Sequence, residues 1–152
     1  MKKNIFKIAY ILMFSALLYA CTDTNVTPNT ASYFKETAAV SSGSSFNVTM
    51  YANDSLYVGK NKVYFKVIDI SKAQTINNVV LTLHPIYAPT STTATSTVEN
   101  PLSTQNKDGL YEGTITFSEI GTDNWSVNVD VKANGKLETV KLDIQDVFAA
   151  KP

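Results

Sequence analysis

Trp125-Ser126-Val127-Asn128-Val129-Asp130-Val131-Lys132 alternates apolar and polar side chains without a break. Successive side chains of an extended chain point to opposite faces, so this stretch turns Trp125, Val127, Val129 and Val131 one way and its polar residues the other. A strand with one buried and one wet face uses such a pattern, and antiparallel sheets are where it occurs. The run ends at Lys132-Ala133-Asn134-Gly135-Lys136, where Asn-Gly is the strongest short hairpin signal. A second strand follows it with Val140, Leu142 and Ile144 in phase.

Working outward, the same period of two recurs. Phe46, Val48 and Met50 alternate with polar residues, and Val63, Phe65 and Val67 oppose Tyr64, Lys66 and Ile68. Val79, Leu81 and Leu83 alternate with Val80, Thr82 and His84, and Tyr111, Gly113, Ile115 and Phe117 with Glu112, Thr114 and Thr116. Turn-forming clusters, Val58 to Lys62, Lys107-Asp108-Gly109 and Glu119 to Asp123, separate the runs, and no helical stripe interrupts them. About seven strands over residues 46–150 predict an all-β, immunoglobulin-like antiparallel β-sandwich with Trp125 as its core plug. Residues 88–108, rich in Thr and Ser, break the rhythm; a structureless loop of that length is either functional or disordered.

The start of the chain has a different grammar. Lys2, Lys3 and Lys7 precede the apolar run Ile8 to Phe14, and Leu18-Tyr19-Ala20-Cys21 follows shortly after. A basic end, a short apolar segment and a small residue before the cut make a secretory signal. The apolar segment falls short of the ~20 residues of a spanning helix. Leu18 to Cys21 resembles a lipobox, with Tyr19 in place of the usual small residue. That resemblance implies cleavage of the signal at residues 1–20 and lipidation of Cys21, whose acyl chains would hold the protein to a membrane. The alternatives are a plain secretory signal with an incidental cysteine, or a short membrane helix. Residues 21–45, rich in Thr, Ser, Asn and Ala, are read as a flexible tether; Tyr33 and Phe34 hint at a first strand within it. Thr22 and Asp23 after the cysteine, with no Asp immediately following it, favour the outer membrane of a cell envelope over the inner one.

Composition narrows the function. Removal of the signal leaves 152 − 20 = 132 residues and 13 − 3 = 10 lysines against 13 carboxylates, a net charge of −3. Nucleic-acid binders carry a basic stripe, so no nucleic-acid partner is expected. The chain has no arginine, which removes bidentate clamps for phosphate or carboxylate. Cys21 is the single cysteine, so no disulfide forms within the chain.

Three stretches together resemble the YtkA-like/FixH-like β-sandwich domain found in lipoproteins of Bacteroidetes: Leu56 to Val67 followed by Ile76 to Pro85; Val98-Glu99-Asn100-Pro101; and Gly109-Leu110-Tyr111-Glu112-Gly113 followed by Gly121 to Val129. The resemblance covers about residues 46–145. It implies the sandwich fold and copper handling at the envelope, through methionines and a histidine in the loop before the Val98 stretch. Here that loop is Ile86 to Thr97 and holds no Met, His or Cys. Hydroxyls suit a soft metal poorly, so the framework carries over and the ligands do not.

Few residues remain to carry chemistry. His84, the one histidine, ends a strand on the face opposite Leu81 and Leu83, which makes it a surface residue before a ligand. Met50, the one methionine left after the signal, is in phase with Phe46 and Val48 and reads as core. These two are the only metal-ligand candidates, so no metal site and no cofactor is expected. No nucleophile elbow is present. Asp54, Asp69, Glu112, Glu119, Asp123, Asp130, Asp143 and Asp146 read as solvated faces or turns, so no catalytic residue is assigned and the protein is not expected to be an enzyme. Asp54-Ser55-Leu56 resembles the O-glycosylation site of Bacteroidetes envelope proteins, with Ser55 as the acceptor. The expectation is an envelope-anchored lipoprotein with a non-catalytic binding module for an envelope protein partner, the alternative being a copper-handling protein that has lost its ligands. Its oligomeric state is left open.

Overall fold

The computed structural model describes residues 27–88 and 98–149. The signal, Cys21 and the run Pro89 to Thr97 lie outside the described residues. The alternating run around Trp125 forms β7 (Gly121–Ala133), and Asn134-Gly135 turns the chain into β8 (Lys136–Val147). Both turn residues have positive φ, 51° at Asn134 and 74° at Gly135. This is the two-residue hairpin geometry whose twist matches its strands, and it explains the Asn-Gly pair. β5 (Val80–Tyr87) pairs with the other side of β7, completing a sheet of order β5-β7-β8.

The second sheet is a meander of β1 (Phe34–Val40), β2 (Phe46–Ala52) and β3 (Gly59–Asp69). The long β3 has two further neighbours: the two-residue β4 (Gln74–Thr75) at its end and β6 (Tyr111–Phe117) along its first half. Every strand ladder among the described residues is antiparallel. Seven strands of useful length in a two-layer sandwich is the expected architecture, with β4 as a small addition. The strand order is this chain's own. A constant-type immunoglobulin domain places its third strand in the sheet opposite its first two; here β3 shares a sheet with β1 and β2.

Each predicted apolar face points inward. Phe46, Val48, Met50, Val63, Phe65, Val67, Ile115 and Phe117 from one sheet meet Leu81, Leu83, Val127, Val129, Val131, Val140, Leu142 and Ile144 from the other, all buried. Trp125 is 1% exposed and plugs one end of the core as anticipated. Its ring lies 4.9 Å from Tyr87 and 5.0 Å from Phe117, and its indole N–H donates to Glu119 O.

Side chains and short loop pieces close the edges. On β5, Leu81 and Leu102 exchange backbone hydrogen bonds. The Asn100 amide pairs with both the N–H and the C=O of Leu83, each at 2.9 Å, as a strand backbone would. Leu102 then packs on Gly113, where an added Cβ would come within 2.7 Å of it. Residues 98–108 are therefore ordered covering, which answers part of the question posed by the long loop. On the other side, Glu138 of β8 accepts hydrogen bonds from Ser41 Oγ and Ser45 N, tying the β1–β2 turn to the opposite sheet.

Over the described residues 28–45 the tether reading needs correction; residues 21–26 lie outside the described residues. Residues 34–40 are β1, which the Tyr33-Phe34 hint had marked. The segment before it is docked as well. Pro28 is buried, Asn29 N donates to Asp108 O at 2.9 Å, and Tyr33 Oη donates to Asp108 Oδ2 at 2.6 Å. The Tyr33 ring packs 4.5 Å from Tyr64, whose side chain is thereby only 4% exposed on an outward face. A polar composition suggested no docking, but one proline and one tyrosine with backbone bonds suffice for it.

The sandwich has two ends. The hairpin end gathers the turns at 41–45, 70–73, 106–109 and 134–135; Phe46 pairs with Asp69, and Gln105 reaches Asn77. The loop end gathers residues 53–58, 118–120 and Phe148, where Tyr57 bridges Phe148.

Candidate functional site

His84 stands on the outer face of the β5-β7-β8 sheet, exposed, with Nε2 3.2 Å from Asp130 Oδ2. The other oxygen of Asp130 accepts from Thr139 Oγ1 at 2.6 Å. Histidine, carboxylate and hydroxyl thus form one row across three strands. The order of the row decides its chemistry. A nucleophilic hydroxyl must give its proton to the base, and here the hydroxyl bonds the carboxylate while the histidine bonds the other side of it. The row is a cross-strand polar ladder that stabilises the sheet face.

Met50 lies in the core, on the inward face of β2, with no exposed surface. His84 faces outward from the opposite sheet, so the two weak metal candidates are separated by the core itself. Among the described residues, no group of three His, Cys, Asp or Glu side chains gathers.

Ser55 is exposed in the loop between β2 and β3. Its N–H donates to Asp54 Oδ1 at 2.8 Å, and the next residue, Leu56, is buried. The Asn61 side chain braces the loop, accepting from Tyr57 N at 3.0 Å and donating to Tyr57 O and Gly59 O. The Ser55 hydroxyl is therefore presented on a fixed corner at the loop end.

Asp69 stands at a turn, as one of the two readings of the carboxylates has it, but it is buried there. It is 8% exposed, and Oδ1 accepts from Ser71 Oγ at 2.6 Å and from the N–H groups of Ser71 and Lys72. The Ser71 hydrogen bond, helped by Lys72, holds its pKa below the ordinary aspartate value, against the opposing effect of burial. It caps the β3–β4 turn. Beside it a shallow depression of about 200 Å³ is lined by polar side chains, among them Gln74, Asn77 and Asn134. The contact of Tyr33 with Asp108, which docks the segment entering the domain, is one that sequence reasoning missed; an aromatic in a polar run was the only signal.

No family model, curated protein or solved structure matches this chain.

Proposed function

We propose that the mature chain is an envelope lipoprotein, held to a membrane by lipid on Cys21, whose sandwich serves as a non-catalytic module for binding an envelope protein. One observation carries this reading: the polar groups that could do chemistry are occupied in sheet ladders, turn caps and loop braces, while apolar side chains fill the interior. What such a domain offers a partner is shaped surface, and loops held on a rigid sandwich are where partners commonly bind. The sequence after Cys21 favours the outer membrane. Kinship with the YtkA-like/FixH-like domains is part of this reading and rests on the three resembling stretches of sequence alone.

Photo-crosslinking residues placed at Ser55 and Asp123 of the lipidated protein test the reading in cells. A discrete adduct with one envelope protein is expected; only diffuse adducts across repeated trials would sink the binding role. Cys21→Ser should release the protein from washed membranes, and continued retention would refute the lipid anchor.

A further inference from the structure

The docked segment fixes how far the domain can stand from its anchor, and so rests on the Cys21 reading above. From Cys21 to the buried Pro28 there are 28 − 21 = 7 residue steps, which span at most ~25 Å when fully extended. The chain meets the fold at the hairpin end, where Asn29 bonds Asp108 in the 106–109 turn. The sandwich is longer than that reach: the 13 residues of β7 span ~40 Å. The tether cannot pass around the domain to set its loop end on the same bilayer.

Charge is distributed in the same sense. The hairpin end carries exposed Lys72, Lys107, Lys132 and Lys136. Its carboxylates, Asp69, Asp108 and Glu138, all accept hydrogen bonds from neighbouring groups. The loop end carries Asp54, Glu119, Asp123 and Asp146 against Lys60. With Lys35 and Glu36, which begin β1 at the loop end and cancel, the residues named give 4 − 3 = +1 at the hairpin end and 2 − 5 = −3 at the loop end. Lys62–Glu112 and Lys141–Asp143 are ion pairs along the faces and cancel. An anionic lipid surface attracts lysines within about a Debye length, ~8–10 Å, and leaves acids ~40 Å away untouched.

We propose that the hairpin end is the membrane-facing surface of the domain, with its lysines against anionic headgroups, and that the loop end, with Ser55 and its carboxylates, points away from the bilayer.

The test uses the full lipidated protein, purified from membranes and reconstituted into vesicles of zwitterionic and anionic phospholipid carrying a nitroxide-labelled lipid. Lipid consumes the one native cysteine, so Lys107→Cys and Asp123→Cys each give a unique site for a fluorophore. Quenching severalfold greater at residue 107 than at residue 123 is expected. Equal or reversed quenching, in protein that floats with the vesicles, overturns the orientation. Inserting about twenty Gly/Ser residues between Thr24 and Asn25 adds ~25 Å of mean reach, and should bring the residue 107 signal down toward that of residue 123. An unchanged signal there overturns the role given to the short tether. Protein that fails to float, with neither site quenched, overturns the Cys21 anchor itself and is told apart from the first failure by the flotation result.

Discussion

Tyr33→Ala is the perturbation that separates a docked entry segment from a loose one. In the native protein the Tyr33 ring packs 4.5 Å from Tyr64 and its hydroxyl donates to Asp108 at 2.6 Å. An aromatic pair contributes ~0.5–1.5 kcal/mol beyond the area it buries. A hydrogen bond to a charged acceptor contributes ~1.5–3 kcal/mol, and solvent at the outer edge of this segment places it in the lower half of that range. The loss comes to about 2–3 kcal/mol of local stability, or roughly a 30- to 140-fold rise in segment opening. Hydrogen exchange reads this directly at the Asn29 amide, which bonds Asp108 O at 2.9 Å. Tyr33→Phe, which keeps the ring, should fall between the two. Alkali is a second arm. The hydrogen bond to Asp108, followed by burial, pushes the Tyr33 hydroxyl up to about 12 from an ordinary 10.0. The folded state therefore favours the neutral phenol, so the docking is intact below pH 10 and is lost as pH rises toward 12. If Asn29 exchanges at the same rate in Tyr33→Ala as in the wild type, the segment is not held by this tyrosine and the short-tether argument fails.

Tyr111→Phe removes the acceptor of the Val79 N–H at 2.9 Å inside the core, so urea unfolding should show a loss of ~1–3 kcal/mol; a change within error would mean that the amide finds another partner. The Ser41 hydrogen bond, followed by that of Ser45, lowers the Glu138 carboxyl below its ordinary value, so its contribution is present above pH 4.5 and lost as pH falls through the folded value. Glu138→Gln should accordingly lower the melting temperature at neutral pH and differ little from wild type in strong acid; an equal deficit at both would refute the carboxylate's role. Copper titration of the mature chain, as Cu(I) and as Cu(II), should give no binding tighter than micromolar, and nanomolar binding would revive the metal reading. Asn100→Ala strips the edge of β5 at Leu83 and should promote concentration-dependent self-association in sedimentation, as bare strand edges do; a destabilised but monomeric variant would show that the amide does not guard the edge.

The core was legible because period two is a strong signal wherever one face is buried. Trp125 to Lys132, with Asn134-Gly135 beside it, carried the hairpin and the inward face together, and both agree with the structure. The segments that went unread were those whose order depends on a partner remote in sequence. Pro28 and Tyr33 are placed by Asp108 and Tyr64, and nothing in the local pattern of a Thr- and Asn-rich run announces those contacts. Asn100 gave no hint of a strand because it is the side chain, not the backbone, that completes the ladder. Among the candidate residues, Met50 and His84 could be assigned to opposite faces from phase alone. The capping role of Asp69 could not, since it depends on how the chain turns after β3.

The correction at the entry segment alters what the protein can reach. A loose tether over residues 22–45 would have 24 residues and could extend ~80 Å, enough to carry a binding domain well clear of a bilayer. With docking from Pro28, only residues 22–27 separate Cys21 from the fold. On the proposed lipid anchor, the same domain would work as a cap close to the membrane, its accessible partners being those that come to within one domain length of the lipid. This places weight on the loop end. The sheet edges are closed by Asn100, Leu102 and Glu138, and the entry segment covers part of an outward face. In the proposed orientation the surface at the greatest height is the braced corner at Ser55, with exposed Ile120 and Phe148 at the same end. Apolar side chains on an acidic rim suit a partner that presents an apolar patch ringed by lysine or arginine, and long-range attraction of that sign would speed encounter more than it would tighten the complex.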